Sequence, residues 1–234
     1  MLRSKNLVTR QRISVTRDLP NPTEYVQLLQ GEYAPWAFDE MRAPTFRGKW
    51  RAEFQVSEQT PIDLEIGTGN GFFFAHRSAQ NPQRCLVGIE LKYKPLIQSI
   101  KRALRGGAEK VRIVRFDASA PDELFDREEI NDVFIHFPDP WEKKKKWKHR
   151  LIQTEFLDVM FDLQRPGSRL EFKTDSLDYF EWSVERFKQS RYQTEALTHD
   201  LHSSEWASRN FVTHFEKLWT SKGIKINYAN LYRP

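Results

Sequence analysis

The chain reads as an α/β protein, with a mostly parallel sheet carrying helices on both faces. Strand-length apolar runs alternate with helix-length segments in β-α-β order, a glycine-rich turn follows the first of these strands, and acidic residues recur at the ends of successive strands. In such folds ligands bind outside the carboxyl ends of the strands, so polar residues placed there carry functional weight.

The first strand, over residues 62–66, runs into Gly67-Thr68-Gly69-Asn70-Gly71 and a helix over 72–80. A second strand over 85–89 is closed by Glu90, and a helix over 95–104 stops at Gly106-Gly107. The third strand, 111–116, ends at Asp117, and the fourth, 131–137, ends in Pro138-Asp139-Pro140. A long helix over 148–163 is halted by Pro166-Gly167, and a fifth strand over 168–173 ends in Thr174-Asp175. A helix over 177–189 precedes two further strand candidates at 193–197 and 211–219. Glu65, Glu90, Asp117, Asp139 and Asp175 thus stand at or just past the ends of five strands. One such acid is an ordinary turn-former or helix cap, whereas five in succession favour a shared crevice. Residues 1–60 read as a basic arm and appendage, with prolines at 20, 22, 35 and 44 and one short helix over 23–30, and residues 61–234 as the main domain.

The 234 residues are 39% hydrophobic, 29% charged and 13% aromatic, a globular balance that excludes disorder throughout. No apolar run approaches the ~18 residues that span a bilayer, so no membrane partner is expected. The single cysteine, Cys85, excludes an intrachain disulfide and a paired-cysteine metal site, reads as a small buried hydrophobe, and points to a reducing, cytoplasmic compartment. No metal is expected, because His199 and His202 lack further ligands at suitable spacing. His136, inside an apolar strand, reads as a packed, hydrogen-bonded histidine.

The net charge of +5 is clustered. Residues 1–17 hold Arg3, Lys5, Arg10, Arg12 and Arg17 with no acid and are too polar for a secretory signal; the composition suits a flexible basic arm, and is also that of a mitochondrial transit peptide. Residues 141–150 hold six basic residues and one acid between and beside two tryptophans. Lysines neutralise phosphates and indoles offer a stacking face, a combination suited to nucleic acid. Residues 92–115 add eight Lys or Arg against Glu109 alone, and the three clusters together make a polyanionic partner the leading expectation.

Gly67, Gly69 and Gly71 permit a tight turn and close backbone approach to a ligand. The spacing is not the G-x-G-x-x-G of a dinucleotide site, and the Lys-Ser/Thr pair of a P-loop is missing. Glu90 lies 19 residues after Gly71, the offset at which an acid binds a ribose diol. Glu65 beside the turn would repel a pyrophosphate and attract a cation. S-adenosylmethionine, with a ribose, an ammonium, a sulfonium and no phosphate, meets both demands.

Leu64-Glu65-Ile66-Gly67-Thr68-Gly69-Asn70-Gly71, Gly88-Ile89-Glu90, Phe137-Pro138-Asp139-Pro140-Trp141 with Lys143, Lys173-Thr174-Asp175 and Thr213-His214-Phe215-Glu216 closely resemble the bacterial tRNA (guanine-N7)-methyltransferases, over roughly residue 61 to the end. The glycine turn is shared by many methyltransferases; the F-P-D-P-W motif followed by lysines is the specific part. The resemblance implies a class I, Rossmann-like methyltransferase with a seven-stranded sheet. It implies S-adenosylmethionine bound through Glu65, Gly67, Gly69, Glu90, Asp117 and Asp139, and the tRNA guanine met by Lys143, Asp175, Thr213, His214, Phe215 and Glu216. It further implies RNA contact along Lys145, Lys146, Trp147, Lys148, His149 and Arg150, and a monomer or homodimer. The expected reaction moves a methyl group to N7 of a guanine in the variable loop of tRNA. Asp139 is the expected catalytic residue, and Trp141 either walls the base or sits in the core. A methyltransferase acting on another nucleic-acid position shares the turn, but its N/D-P-P-Y/F motif differs from Asp139-Pro140-Trp141. A non-catalytic RNA-binding protein on the same fold is the other alternative.

Overall fold

A computed structural model describes residues 19–234; the basic arm over 1–17 lies outside the described residues. The strands are β1 (Ala37–Phe38), β2 (Ile62–Ile66), β3 (Cys85–Ile89), β4 (Val111–Val114), β5 (Val133–His136), β6 (Arg169–Thr174), β7 (Gln193–Thr198) and β8 (Asn227–Tyr232). They form one sheet in the order β1-β4-β3-β2-β5-β6-β8-β7, parallel except that β8 runs antiparallel to both β6 and β7. The helices are α1 (Thr23–Gln30), α2 (Trp50–Phe54), α3 (Phe72–Gln80), α4 (Tyr93–Arg105), α5 (Thr154–Leu163), α6 (Leu177–Gln189) and α7 (His214–Thr220).

Every residue of β2 and β3 is buried, as expected of parallel strands covered on both faces. The period-2 alternation divides the core. Ile62, Leu64, Val87, Ile135 and Phe172 pack with Phe156 of α5 and Tyr179 and Phe180 of α6, whereas Leu86 and Ile113 face Phe74 of α3 and Leu96, Ile97 and Ile100 of α4. Residues 23–60 lie against this sheet. Leu29 and Tyr33 join the α4 side, and Trp50 is fully buried with its Nε1 donating to the Leu124 carbonyl at 2.7 Å.

Seven strands, β2 to β8, make up the sheet the resemblance implies, and β1 adds an eighth. Two residues cannot show a period, and β1 exists because its backbone meets the edge of β4: the Ile113 amide donates to the Trp36 carbonyl and the Arg115 amide to the Phe38 carbonyl, both at 2.8 Å. The helix expected over 148–163 begins only at Thr154; residues 144–149 form a 3₁₀ segment, and the Gln153 side chain bonds the carbonyls of Trp147 and Arg150 in the intervening turn. The strand expected over 211–219 is instead α7, started by a capping box in which the Thr213 hydroxyl accepts from the Glu216 amide at 3.1 Å and the Glu216 carboxylate accepts from the Thr213 amide at 3.3 Å. The last strand is β8, which the sequence reading did not place.

Candidate active site at the carboxyl edge of the sheet

The parallel strands β2 to β6 deliver Glu65, Glu90, Asp117, Asp139 and Asp175 to one edge. At its centre is the glycine turn. Gly67 and Gly69 have φ of +78° and +53°, and a Cβ on either would meet nothing within 4 Å, so the backbone opens onto free space. Gly71 is glycine for the opposite reason: a Cβ there would collide with Ser99 of α4.

Beneath this cradle Glu65 is 3% exposed, and its Oε2 is buried without a partner, as is Oγ1 of Thr68. Burial first, then the nearby Glu90 carboxylate, push Glu65 up to about 8, against the opposing pull of Lys173. Glu90 is more tightly held, its Oε2 accepting from the Gly69 amide at 2.9 Å and its Oε1 from the Lys92 amide at 3.0 Å. Burial raises its pKa even so. A buried carboxyl with an unsatisfied oxygen and a half-buried one beside it, under an open backbone cradle, form a site for a ligand bearing both a cation and hydroxyl donors. S-adenosylmethionine has those groups, so the residues present fit it. Asp117 is half-buried at the same edge, and its Oδ1 caps the following turn through the Ser119 amide at 2.9 Å.

Asp139 is exposed on a constrained loop. Phe137 and Trp141, both bulky, flank it with φ of +54° and +46°. Such conformations cost on the order of 1–3 kcal/mol each and persist only where the surroundings hold them. The Phe137 amide is tied to the Lys173 carbonyl at 2.8 Å, and the Pro140 carbonyl accepts from Nε of Arg150 at 2.8 Å. Trp141 is 37% exposed, with its ring 5.2 Å from His149, and so stands at the surface beside the loop.

The basic run is laid out beside it. Lys143, Lys144, Lys145, Lys146, Lys148 and His149 are exposed, and Trp147 is half-buried against Trp182 at 5.0 Å. Arg150 departs from this pattern, being 1% exposed and turned into the fold.

Asp175, half-buried, is raised by desolvation. Of the Thr213–Glu216 group, His214 and Phe215 are exposed, and His214 stacks on Phe72 at 5.9 Å, which brings the start of α7 beside the glycine turn. Glu216 is fully buried and faces inward, paired with Lys173 at 3.4 Å and His202 at 2.9 Å and accepting from Asn210. Sequence reasoning does not single out Lys173, although it opens the Lys173-Thr174-Asp175 motif. Fully buried, it donates to Asn210 Oδ1 at 2.7 Å and the Phe211 carbonyl at 3.2 Å. Arg102 was also missed; it lies 3.7 Å over the Phe72 ring and donates to the Asn70 carbonyl at 3.1 Å, a contact with no local signal in the sequence.

His136 is buried, and the geometry is that of its Nε2 donating to Glu171 at 2.7 Å; burial and Lys173 depress it to about 4, the state of a neutral, packed histidine. Cys85 is buried, its thiol pushed up to about 11 by desolvation. A cavity of about 680 Å³ lies away from the carboxyl edge, on the β5-β6-β8 face between Arg77 and Trp206; Arg77 and Arg169 in its wall are paired to Asp132 and Glu195. Among the described residues there is no group of His, Cys, Asp and Glu suited to a metal ion, and no helix is long and apolar enough to cross a membrane.

Residues 59–229 match the model of a family described as "Putative methyltransferase". A tRNA (guanine-N(7)-)-methyltransferase of Bdellovibrio bacteriovorus is 50% identical over 206 residues, covering 88% of this chain and 99% of the relative. The enzyme of the same name from Clostridium kluyveri is 35% identical, covering 81% and 92%. Among solved structures, the 16S rRNA methyltransferase KamB superposes with a TM-score of 0.58 at 17% identity, covering 78% of this chain and 94% of that one, a likeness of fold.

Proposed function

The chain belongs to the tRNA (guanine-N(7)-)-methyltransferases, and from that premise we propose that it methylates N7 of a guanine in the variable loop of tRNA, with the carboxyl edge of the sheet as its active site. One observation carries the assignment of the site: the buried, unpartnered oxygen of Glu65 beneath a backbone cradle open at Gly67 and Gly69. That arrangement suits a cationic, ribose-bearing ligand and disfavours a phosphate.

S-adenosylmethionine supplies the methyl group on a sulfonium centre. Glu65 and Glu90 hold it together with the backbone of Gly67 and Gly69, and Asp117 and Asp139 complete its surroundings. Guanine N7 carries an unprotonated lone pair on its major-groove edge, so no residue has to remove a proton before transfer. The work of the chain is alignment and electrostatics: positive charge passes to the purine, and a carboxylate held nearby favours that movement. Asp139 takes this role, accepting hydrogen bonds from the base or holding the amino-acid end of the cofactor, on a loop that Pro138 and Pro140 stiffen. Trp141 walls the base. Lys143, Asp175, Thr213, His214 and Phe215 border the guanine, Glu216 acts from beneath through the Thr213 cap, and Lys145 to His149 track the RNA backbone. The protein works in the cytoplasm as a monomer or homodimer, a setting consistent with its single buried thiol.

The test is to incubate the protein with unmodified tRNA and methyl-labelled S-adenosylmethionine, digest to nucleosides and identify the labelled product by mass. The expected product is 7-methylguanosine, lost in Asp139→Ala while tRNA affinity is largely kept. Label in another nucleoside would overturn the base assignment, and near-wild-type activity in Asp139→Ala would remove that residue from the centre.

A further inference from the structure

We propose that Arg150 is a positioning residue for the Asp139 loop and makes no contact with RNA; the proposal rests on the methyl-transfer reading above. Arg150 ends the basic segment in sequence and leaves it in space. The six residues before it, Lys144–His149, contain no buried side chain, whereas Arg150 is among the largest fully buried side chains of the protein.

What it does inside is shown by its contacts. Nε donates to the Pro140 carbonyl at 2.8 Å, and Nη2 is paired with the Asp178 carboxylate. The guanidinium carbon lies 4.5 Å from the ring of Trp147, 5.0 Å from Tyr179 and 5.2 Å from Trp182. A planar fork holding a carbonyl and a carboxylate while packed among aromatic faces is a task for arginine, which a lysine point charge does not reproduce. Nη1 is buried without a partner, so the guanidinium is held through Nε, Nη2 and the aromatic faces.

The loop needs such a tether. Pro140 is the immediate neighbour of Asp139, and the left-handed Phe137 and Trp141 on either side would relax if they were not held. The Phe137 end is fixed through the Lys173 carbonyl and the Pro140 end through Arg150. Because Arg150 follows His149 directly, an RNA strand lying on the lysines and the loop that carries Asp139 share one anchor.

Full-length wild type, Arg150→Met, Arg150→Lys and Asp178→Asn are compared for kcat and KM with unmodified tRNA, for tRNA Kd across salt concentrations, and for S-adenosylhomocysteine binding by calorimetry. The expected result for Arg150→Met is a fall in kcat of about 100-fold, the scale of a misplaced reacting group. Its tRNA Kd and cofactor-product affinity stay within about threefold of wild type, its salt slope is unchanged, and Arg150→Lys recovers less than about tenfold of the lost kcat. Asp178→Asn, on a side chain 60% exposed, keeps the fold and lowers kcat about threefold to tenfold with Kd unchanged. A weaker Kd with a shallower salt slope and an intact kcat would make Arg150 an RNA contact and overturn the proposal. So would an unchanged kcat in Asp178→Asn, which decides the matter if Arg150→Met fails to fold. Wild type that forms no 7-methylguanosine would overturn the reaction itself and this role with it, so the two failures are told apart by the wild-type lane.

Discussion

As the proposed cofactor contact, Glu65 would join ligand binding to protonation. Its carboxyl is pushed up to about 8, chiefly by burial, so at neutral pH and without a cation it is mostly neutral, and a cationic ligand must draw a proton off it. Cofactor affinity is therefore expected to rise about tenfold per pH unit below about 8 and to level off above it, and Glu65→Gln to bind at least tenfold more weakly with a flat pH profile, both read by calorimetry. The stability linkage has the opposite sign: a carboxyl whose folded pKa exceeds its unfolded value of about 4.5 favours the folded state at low pH and loses that contribution as pH rises toward about 8. His136, depressed to about 4, opposes it at the acid end, since its contribution is full above about 6.5 and fades as pH falls toward 4. The acids themselves were legible in the sequence because each stands at or within a few residues of the carboxyl end of a strand. The unsatisfied oxygen of Glu65 was not, because it depends on what the neighbouring strands place around it.

The start of α7 shows how an element can be misread from its own residues. Phe211 to Trp219 contains enough aromatic and β-branched residues to resemble a strand, yet Thr213 and Glu216 stand at the spacing of a capping box, a local signal that outweighs the composition. The helix is then locked to β6 by the buried Lys173–Glu216 pair, at 3.4 Å with both side chains fully inaccessible. Lys173→Met leaves the Glu216 carboxylate buried without its main counter-charge and is expected to cost about 3–5 kcal/mol in urea unfolding. The double change Lys173→Met with Glu216→Gln should restore more than half of that loss, because the uncompensated charge is gone; no recovery would mean that packing, not charge, sets the cost. The short helix at 154–163 has a similar origin, since the buried Arg150 and the Gln153 side chain hold the chain in a turn where helical periodicity alone would carry it back to 148.

Charge and fold come together in the arrangement of the lysine run beside the acidic edge. The exposed lysines stand next to the Asp139 loop, so a polyanion on them would lie against the edge proposed to hold the cationic cofactor. Replacing Lys143, Lys144, Lys145 and Lys146 with alanine is expected to weaken tRNA binding and to lower the slope of log Kd against log salt by about 2 to 3, measured by filter binding, with kcat at saturating tRNA changed far less than in Asp139→Ala. An unchanged slope would return the run to ordinary solvated surface. Residues 23–60 belong to the same packing problem: Phe38, Trp50 and Phe54 share a core with β2 and β5, although their sequence lacks the periodicity of the strands they cover.

Local pattern carried the alternation of strands and helices, the parallel sheet, the glycine turn and the five acids, since strand length, glycine spacing and the residue that follows a strand are all read within a few positions. The motifs around Asp139 added the kind of chemistry. Long-range pairing settled the rest. The two-residue β1 exists only against β4, β8 is a strand because β6 and β7 flank it, Glu216 turns inward onto the buried Lys173, and Arg150 turns inward onto the rings of Tyr179 and Trp182. Such partners are separated by tens of residues in the chain. Whether a charged side chain meets solvent or a buried counter-ion is set by the folded neighbourhood, which no window of sequence contains.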